Sequence, residues 1–181
     1  MLTQRDVESR QATAFQMFRD AGLFFKPDEK QRIEIADFGL GTFEQTGLAV
    51  YVYVNTDRCC AKDLAMWPRQ TCPEHLHPSV GGQPGKEETF RVRHGKMWLY
   101  IPGPRADRPN AVPPRGREKT YTIWREIELN PGDQYTLTPD TPHWFQAGDE
   151  GCVVSEFSTR STDENDIFTD PEIQRITKVA R

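Results

Sequence analysis

The segment from Pro73 to Phe90, PEHLHPSVGGQPGKEETF, sets His75 and His77 one residue apart and places Glu88 eleven residues after the second of them. Residues two apart on a strand face the same way, so the two imidazoles present side by side to one cavity, a common start to a metal site. Two nitrogens do not hold a metal firmly. Glu88 opens the β-like run ETFRVRHGKMWLYI, where a hairpin between the two strands would set its carboxylate beside the histidines. His143 follows the proline-rich turn in TPDTPHWFQ at another strand start. Three imidazoles and a carboxylate make a mixed nitrogen and oxygen set suited to a divalent first-row metal, with open positions for two substrate oxygens. An isolated HxH pair is a weak signal, because exposed or core histidines are commoner than ligands. The set is stronger than its parts: His75, His77 and His143 all fall at strand starts by this reading, and only His94, in a turn-like pair with Gly95, is left for the surface.

These side chains need strands to position them. The opening TQRDVESRQATAFQMFRDAG has apolar residues at Ala14, Phe15, Met17 and Phe18 and stops at Gly22, the pattern of an amphipathic helix. Beyond it the period changes to two. QRIEIADF, GLAVYVYVNT, TFRVRHGKMWLYI, KTYTIWREIEL, DQYTLTP, HWFQAG and CVVSEFS are short β-like runs separated by Gly, Pro and Asp. The chain therefore reads as mainly β, a sandwich or small barrel of antiparallel strands, in one domain over 1–181. A helical segment covers 1–30, the strands run from about 31 to 160, and a tail over 161–181 ends with a weak helix in DPEIQRITKVA. Trp98, Tyr100, Trp124, Trp144 and Phe145 alternate within strands and read as core, with at most two in reach of a ligand. Gly103 to Lys119 is proline- and arginine-rich without periodicity, a long loop that reads equally as a lid, a partner surface or a mobile segment.

Composition narrows the function. At 181 residues with a net charge of −4 and mixed signs along the chain, the broad positive field that nucleic acid or anionic membrane requires is missing. No apolar run approaches the roughly 20 residues of a membrane span, and MLTQRDVESRQ lacks the apolar segment of a signal peptide, so a cytoplasmic location is expected. Cys59, Cys60, Cys72 and Cys152 form no CxxC pair and read as free thiols.

HLH followed by Glu88, then RVRHG and PGDQYTLTPDTPHWFQAG, resembles the two metal-binding motifs of the cupin superfamily, whose fold is a double-stranded β-helix, a barrel of jelly-roll type. The spacing from His77 to Glu88 is longer by several residues than the commonest cupin pattern. That long PSVGGQPGKEE connection, with PRQTCPEHLHP before it and VVSEFSTRSTDENDIFTDP near the end, is similar to the D-lyxose isomerase family of cupins from about Tyr53 to Pro171. MWPRQ departs from the aliphatic residues expected there. The resemblance implies a metal-dependent aldose–ketose isomerase that interconverts D-lyxose and D-xylulose, often with D-mannose and D-fructose, and that forms a homodimer. It carries the metal ligands onto His75, His77, Glu88 and His143, and names manganese, although cobalt, nickel, iron and zinc accept the same donors. It also places Lys86 two residues before the ligand glutamate, a carboxylate at Glu156, and sugar-contacting residues at Asp166 and Phe168.

Moving a proton between C1 and C2 of an open-chain sugar passes through a cis-enediolate, whose negative charge must be stabilised while a base takes the C–H proton. Glu156, on a late strand and not needed as a ligand, is the candidate base, and Lys86 would bind a sugar oxygen or stabilise the enediolate. The acidic run STDENDIFTD reads by composition alone as a solvated surface. Three other readings accept the same ligand set: an Fe(II) cupin dioxygenase, a cupin phosphosugar isomerase and a non-catalytic sugar-binding protein.

Overall fold

The computed structural model describes residues 2–180, and strand dominates its ordered backbone, as the alternating runs predict. In chain order the strands are β1 (Leu2–Thr3), β2 (Glu34–Ala36), β3 (Leu48–Asn55), β4 (Cys60–Met66), β5 (Thr71–Leu76), β6 (Glu88–Ile101), β7 (Arg125–Leu129), β8 (Gln134–Leu137), β9 (His143–Ser158), β10 (Ile167–Phe168) and β11 (Val179–Ala180). Helix α1 (Gln4–Asp20) starts at Thr3, whose hydroxyl accepts from the Asp6 N–H while the Asp6 carboxylate accepts from the Thr3 N–H. That reciprocal cap stabilises the helix by about 1 kcal/mol. α1 then lays Ala14 and Phe18 against Ile33, Ile35, Tyr51 and Ala65 on the outside of the sheet.

A nine-stranded sheet curls into the barrel in the order β10-β5-β9-β4-β3-β2, with β6 joining β7, β8 and β9. β9 organises it. Its first half lies between β5 and β6, and its second half between β4 and β6. HWFQAG and CVVSEFS, expected as two strands, are this one strand, because β6 runs beside them as a continuous partner with register shifts near His94 and Lys96. At that irregularity Gly95 takes φ +70°, and a Cβ there would stand 2.1 Å from the Gly151 carbonyl oxygen, so only glycine allows the strands to close. His94 is exposed, as expected, but stands within β6 and not in a turn.

The period of two divides the barrel interior. Met66 and Leu64 on β4 pair with Cys152 and Val154 on β9, and all four enter the apolar core. One further step along the same face, Lys62 pairs with Glu156. The interior therefore changes from hydrocarbon to charge within one pleat.

Three expectations fail at the periphery. QRIEIADF gives a 3-10 turn over Pro27–Arg32 and only the three residues of β2. KTYTIWREIEL gives strand only over Arg125–Leu129, the earlier part being bound to β5 by Glu74. DPEIQRITKVA is not helical: Gln174 N donates to Phe38 O, Thr177 Oγ1 accepts from Asp37 N, and Arg175 is held by Glu34, so its polar groups are committed to the barrel and not to a helix ladder. The loop from Gly103 is a fixed strap. Ala111 N donates to Tyr100 Oη at 2.9 Å, Asn110 N and Nδ2 to Glu126 at 2.7 Å each, and Arg117 pairs with Asp170 and Glu172. It covers the aromatic cluster of Tyr100, Tyr121 and Trp144 outside the barrel.

Candidate functional site

Three strands and one connection deliver the site. His75 lies on β5 and His77 one residue past its end, so both sit at the close of a strand and not at its start. His143 and Glu88 are the first residues of β9 and β6. The expected hairpin is absent: β5 and β6 both pair with β9, and β6 also pairs Glu88 with Leu137 of β8. The curl of the sheet around β9 brings the carboxylate to the histidines. In the connection between them Gly85 packs so closely on the His77 carbonyl that a Cβ would stand 2.1 Å from its oxygen.

The three imidazoles converge, with ring centroids 4.9 Å apart for His75 and His77, 4.3 Å for His75 and His143, and 5.4 Å for His77 and His143. Each ring is fixed from behind through Nδ1. His75 donates to Pro73 O at 2.7 Å, His143 to Thr141 O at 3.0 Å, and His77 to Asp166 Oδ1 at 2.5 Å. A carbonyl only accepts, so the proton of His75 and of His143 is on Nδ1 and the Nε2 lone pair is free. Glu88 Oε1 stands 3.1 Å from Nε2 of both His77 and His143, yet all three buried atoms lack a hydrogen-bond partner. Burial, with His143 and His77 adding, holds His75 well below the usual imidazole range. Burial also pushes His77 down, but Glu88 and Asp166 outweigh it and lift the ring to about 9. Glu88 is pushed up by burial and held well below the usual carboxylate range chiefly by Lys86. Buried polar atoms left without a hydrogen-bond partner are what a divalent cation would satisfy, and the nitrogens of His75, His77 and His143 lie within 4.8 Å of one another, as such a site requires.

Beside this cluster lies a chain of buried charges. Lys86 Nζ is 2.9 Å from Glu88 Oε2 and 3.0 Å from Glu156 Oε1. Lys62 Nζ is 3.5 Å from the same Glu156 oxygen and 2.7 Å from Asp163 Oδ2, which Arg175 meets at 3.2 Å. Asp166 and Phe168, at β10 and just before it, sit against the histidines: Asp166 behind His77, and Phe168 stacked on His75 at 5.4 Å. All these residues line one cavity, with Phe38, Leu64, Phe90 and Phe145 as its apolar wall.

Lys62, Asp163, Arg175 and Phe38 escaped the sequence reading. Asp163 was hidden in an acidic run that reads as solvated, whereas the structure half-buries it among cations. Lys62 did leave a signal: it continues the inward face of Leu64 and Met66. Nothing in the sequence pattern marks Phe38, whose φ of +54° turns it inward after β2.

A curled antiparallel sheet with three inward imidazoles, one ligand-type carboxylate and an acid–base network at the same end defines a cupin-like barrel with a candidate metal centre. A family model for D-lyxose isomerase matches residues 28–181. The chain is 56% identical over 179 residues to a D-lyxose/D-mannose isomerase of Thermosediminibacter oceani, covering 99% of each. It is also 56% identical to a D-lyxose ketol-isomerase of Cohnella laeviribosi, over 93% of this chain and 92% of that one. The chain belongs to the D-lyxose isomerase family and is an isomerase. Its fold is shared with the L-ribose isomerase of Cellulomonas parahominis, at a TM-score of 0.82 and 17% identity over 99% of this chain and 98% of that one. Among the described residues no helix is long and apolar enough to cross a membrane.

Proposed function

We propose that this chain interconverts D-lyxose and D-xylulose, and also D-mannose and D-fructose, as a metal-dependent aldose–ketose isomerase. The reading rests above all on the partnerless buried Nε2 of His77 and of His143 and Oε1 of Glu88 standing beside the Lys86–Glu156 ion pair. His75, His77, Glu88 and His143 would hold the metal, with manganese proposed. A bound divalent cation supplies electrophilic stabilisation of the negative charge that develops on the sugar oxygens. Glu156 takes the proton from C2 and returns it to C1, and Lys86 donates to the oxygen that gains charge. Asp166 holds the His77 ring and, with Phe168, bounds the sugar.

Charge in the cavity separates the rival readings. An Fe(II) dioxygenase wants an apolar pocket without a placed acid–base pair, and here Glu156 and Lys86 are such a pair. A phosphosugar isomerase needs spare positive charge for its dianion. The cavity cations Lys62, Lys86 and Arg175 are each already paired with carboxylates, which favours an uncharged sugar.

We further propose one domain over 1–181, a cytoplasmic location and a homodimer. Val54 and Phe157, 40% and 46% exposed, stand in register on either side of Ala61 on the outer sheet face, an apolar strip that a second copy would cover. Ketose formation from D-lyxose, D-mannose, D-ribose and D-xylose, after stripping with chelator and reloading with manganese, tests the central reading. Turnover of D-lyxose that returns only with metal is the expected result; one metal rebound per chain with no sugar turned over would sink it.

A further inference from the structure

Glu156 is held on one side only. Both of its ion pairs fall on Oε1, to Lys86 at 3.0 Å and to Lys62 at 3.5 Å. The two lysines are not equivalent. Lys86 is divided among Glu156, Glu88 and, at 3.6 Å, Asp163, so its position follows the histidine cluster through Glu88. Among the described residues, no hydrogen bond or ion pair joins Lys62 to the histidines or to Glu88. Lys62 comes from β4, is 5% exposed, and is anchored by Asp163 at 2.7 Å and by Ser161 Oγ at 2.9 Å. Ser161 is itself clamped by Asn55, whose Nδ2 donates to Ser161 O at 2.9 Å and whose Oδ1 accepts from Ser161 N at 3.1 Å. Lys62 thus stands as a buried ammonium between the carboxylates of Glu156 and Asp163.

We propose that Lys62 is a positioning residue for the isomerisation: it fixes Oε1 of Glu156 from a support on Asp163 and Ser161 that includes none of the candidate metal ligands, so that Oε2 is the oxygen that exchanges the proton. A carboxylate turning about its last bond offers either oxygen, and an ammonium on each side of Oε1 removes that equivalence. The proton leaves C2 for Oε2, and the C–H electron pair becomes the C1–C2 double bond of the enediolate with its charge on O1. The same proton is then returned to C1, while the O2 proton passes to O1 and C2 becomes the ketone. The inference rests on the reading of Glu156 as the base.

The test compares metal-reconstituted Lys62→Met, Lys62→Arg, Ser161→Ala and Glu156→Gln proteins for D-lyxose turnover, with hydrogen or deuterium at C2. Lys62→Met should bind metal and keep its KM, lose about a hundredfold in kcat, and report a larger deuterium effect because proton transfer has become slower. Lys62→Arg should recover part of the loss. An unchanged kcat and isotope effect in metal-bound Lys62→Met overturns the inference, and so does a raised KM with unchanged kcat, which would make Lys62 a sugar-binding group. Should Lys62→Met fail to fold, Ser161→Ala keeps the charge and loosens its anchor: a lowered kcat with a larger isotope effect supports the role, and parent-like values overturn it. Turnover retained by Glu156→Gln would remove the base itself, an outcome separate from any result at Lys62.

Discussion

Glu88 Oε1 and His143 Nε2 stand 3.1 Å apart, both buried, with no hydrogen bond between them. Because His143 spends its proton on Thr141 O, the contact faces one lone pair with another, and without a cation it is repulsive. Metal at a hundred times its Kd should therefore raise the melting temperature by about 5–10 °C. His77→Ala should abolish that rise together with tight metal binding and turnover. Calorimetric scans across a manganese titration check it, and an identical rise in the variant would dismiss His77 as a ligand.

Gly85→Ala should damage the site while leaving every proposed ligand side chain chemically unchanged. The new methyl would stand 2.1 Å from His77 O and 3.2 Å from Asp140 N, backbone atoms that cannot rotate away. Overpacking of this kind costs about 1–3 kcal/mol. The connection must move, and Lys86 and Glu88 move with it. Metal affinity should fall about tenfold or more, as read by competition with a chelator, whereas parent-like affinity would mean the connection has slack.

The four proposed ligands were legible in sequence because each stands where a strand meets a connection, and such positions keep their chemistry visible against an alternating background. Their route to one another was not. A hairpin between β5 and β6 is the local solution, and local pattern carries no information about β9 coming between them. The charged half of the barrel was legible only in part. In CAKDLAM, Leu64 and Met66 fix which face is inward, so Lys62 had to point into the core, and Asp63 outward to Tyr53 and Ser155. Asp163 and Arg175 could not be read that way, since they lie in segments without periodicity that gain their burial from tertiary ion pairs.

Glu74 immediately precedes His75 on β5 and does not line the cavity. Its carboxylate accepts from Thr122 N at 2.6 Å, Thr122 Oγ1 at 2.7 Å, Ile123 N at 3.2 Å and Thr169 Oγ1 at 2.8 Å. It thereby ties β5 both to the strap and to the segment that carries Asp166 and Phe168. Glu74→Ala strands several buried donors and should cost about 3 kcal/mol, which is about 6–12 °C of melting temperature for a domain of this size. Glu74→Gln, which keeps one acceptor oxygen, should lose less. Thermal scans that rank the two variants equally would show that water replaces the carboxylate.

Acid should act through Asp163. Burial pushes its carboxyl up, but Lys62, Lys86 and Arg175 prevail and hold it well below its ordinary value of 3.8. A depressed native value stabilises the fold at every pH above the unfolded value, and that contribution drains away as pH falls from about 3.8 through the native one. Asp163→Asn lacks the ionisation and leaves Lys62 and Arg175 each short of a partner, so at neutral pH it should be less stable by roughly 3 kcal/mol. The gap between parent and variant should narrow as pH drops below 4, because the parent alone must protonate this carboxyl to unfold there. Urea unfolding of both proteins from pH 7 to pH 3 measures it. A gap that stayed constant over that range would mean that Asp163 contributes through its shape and hydrogen bonds and not through its charge.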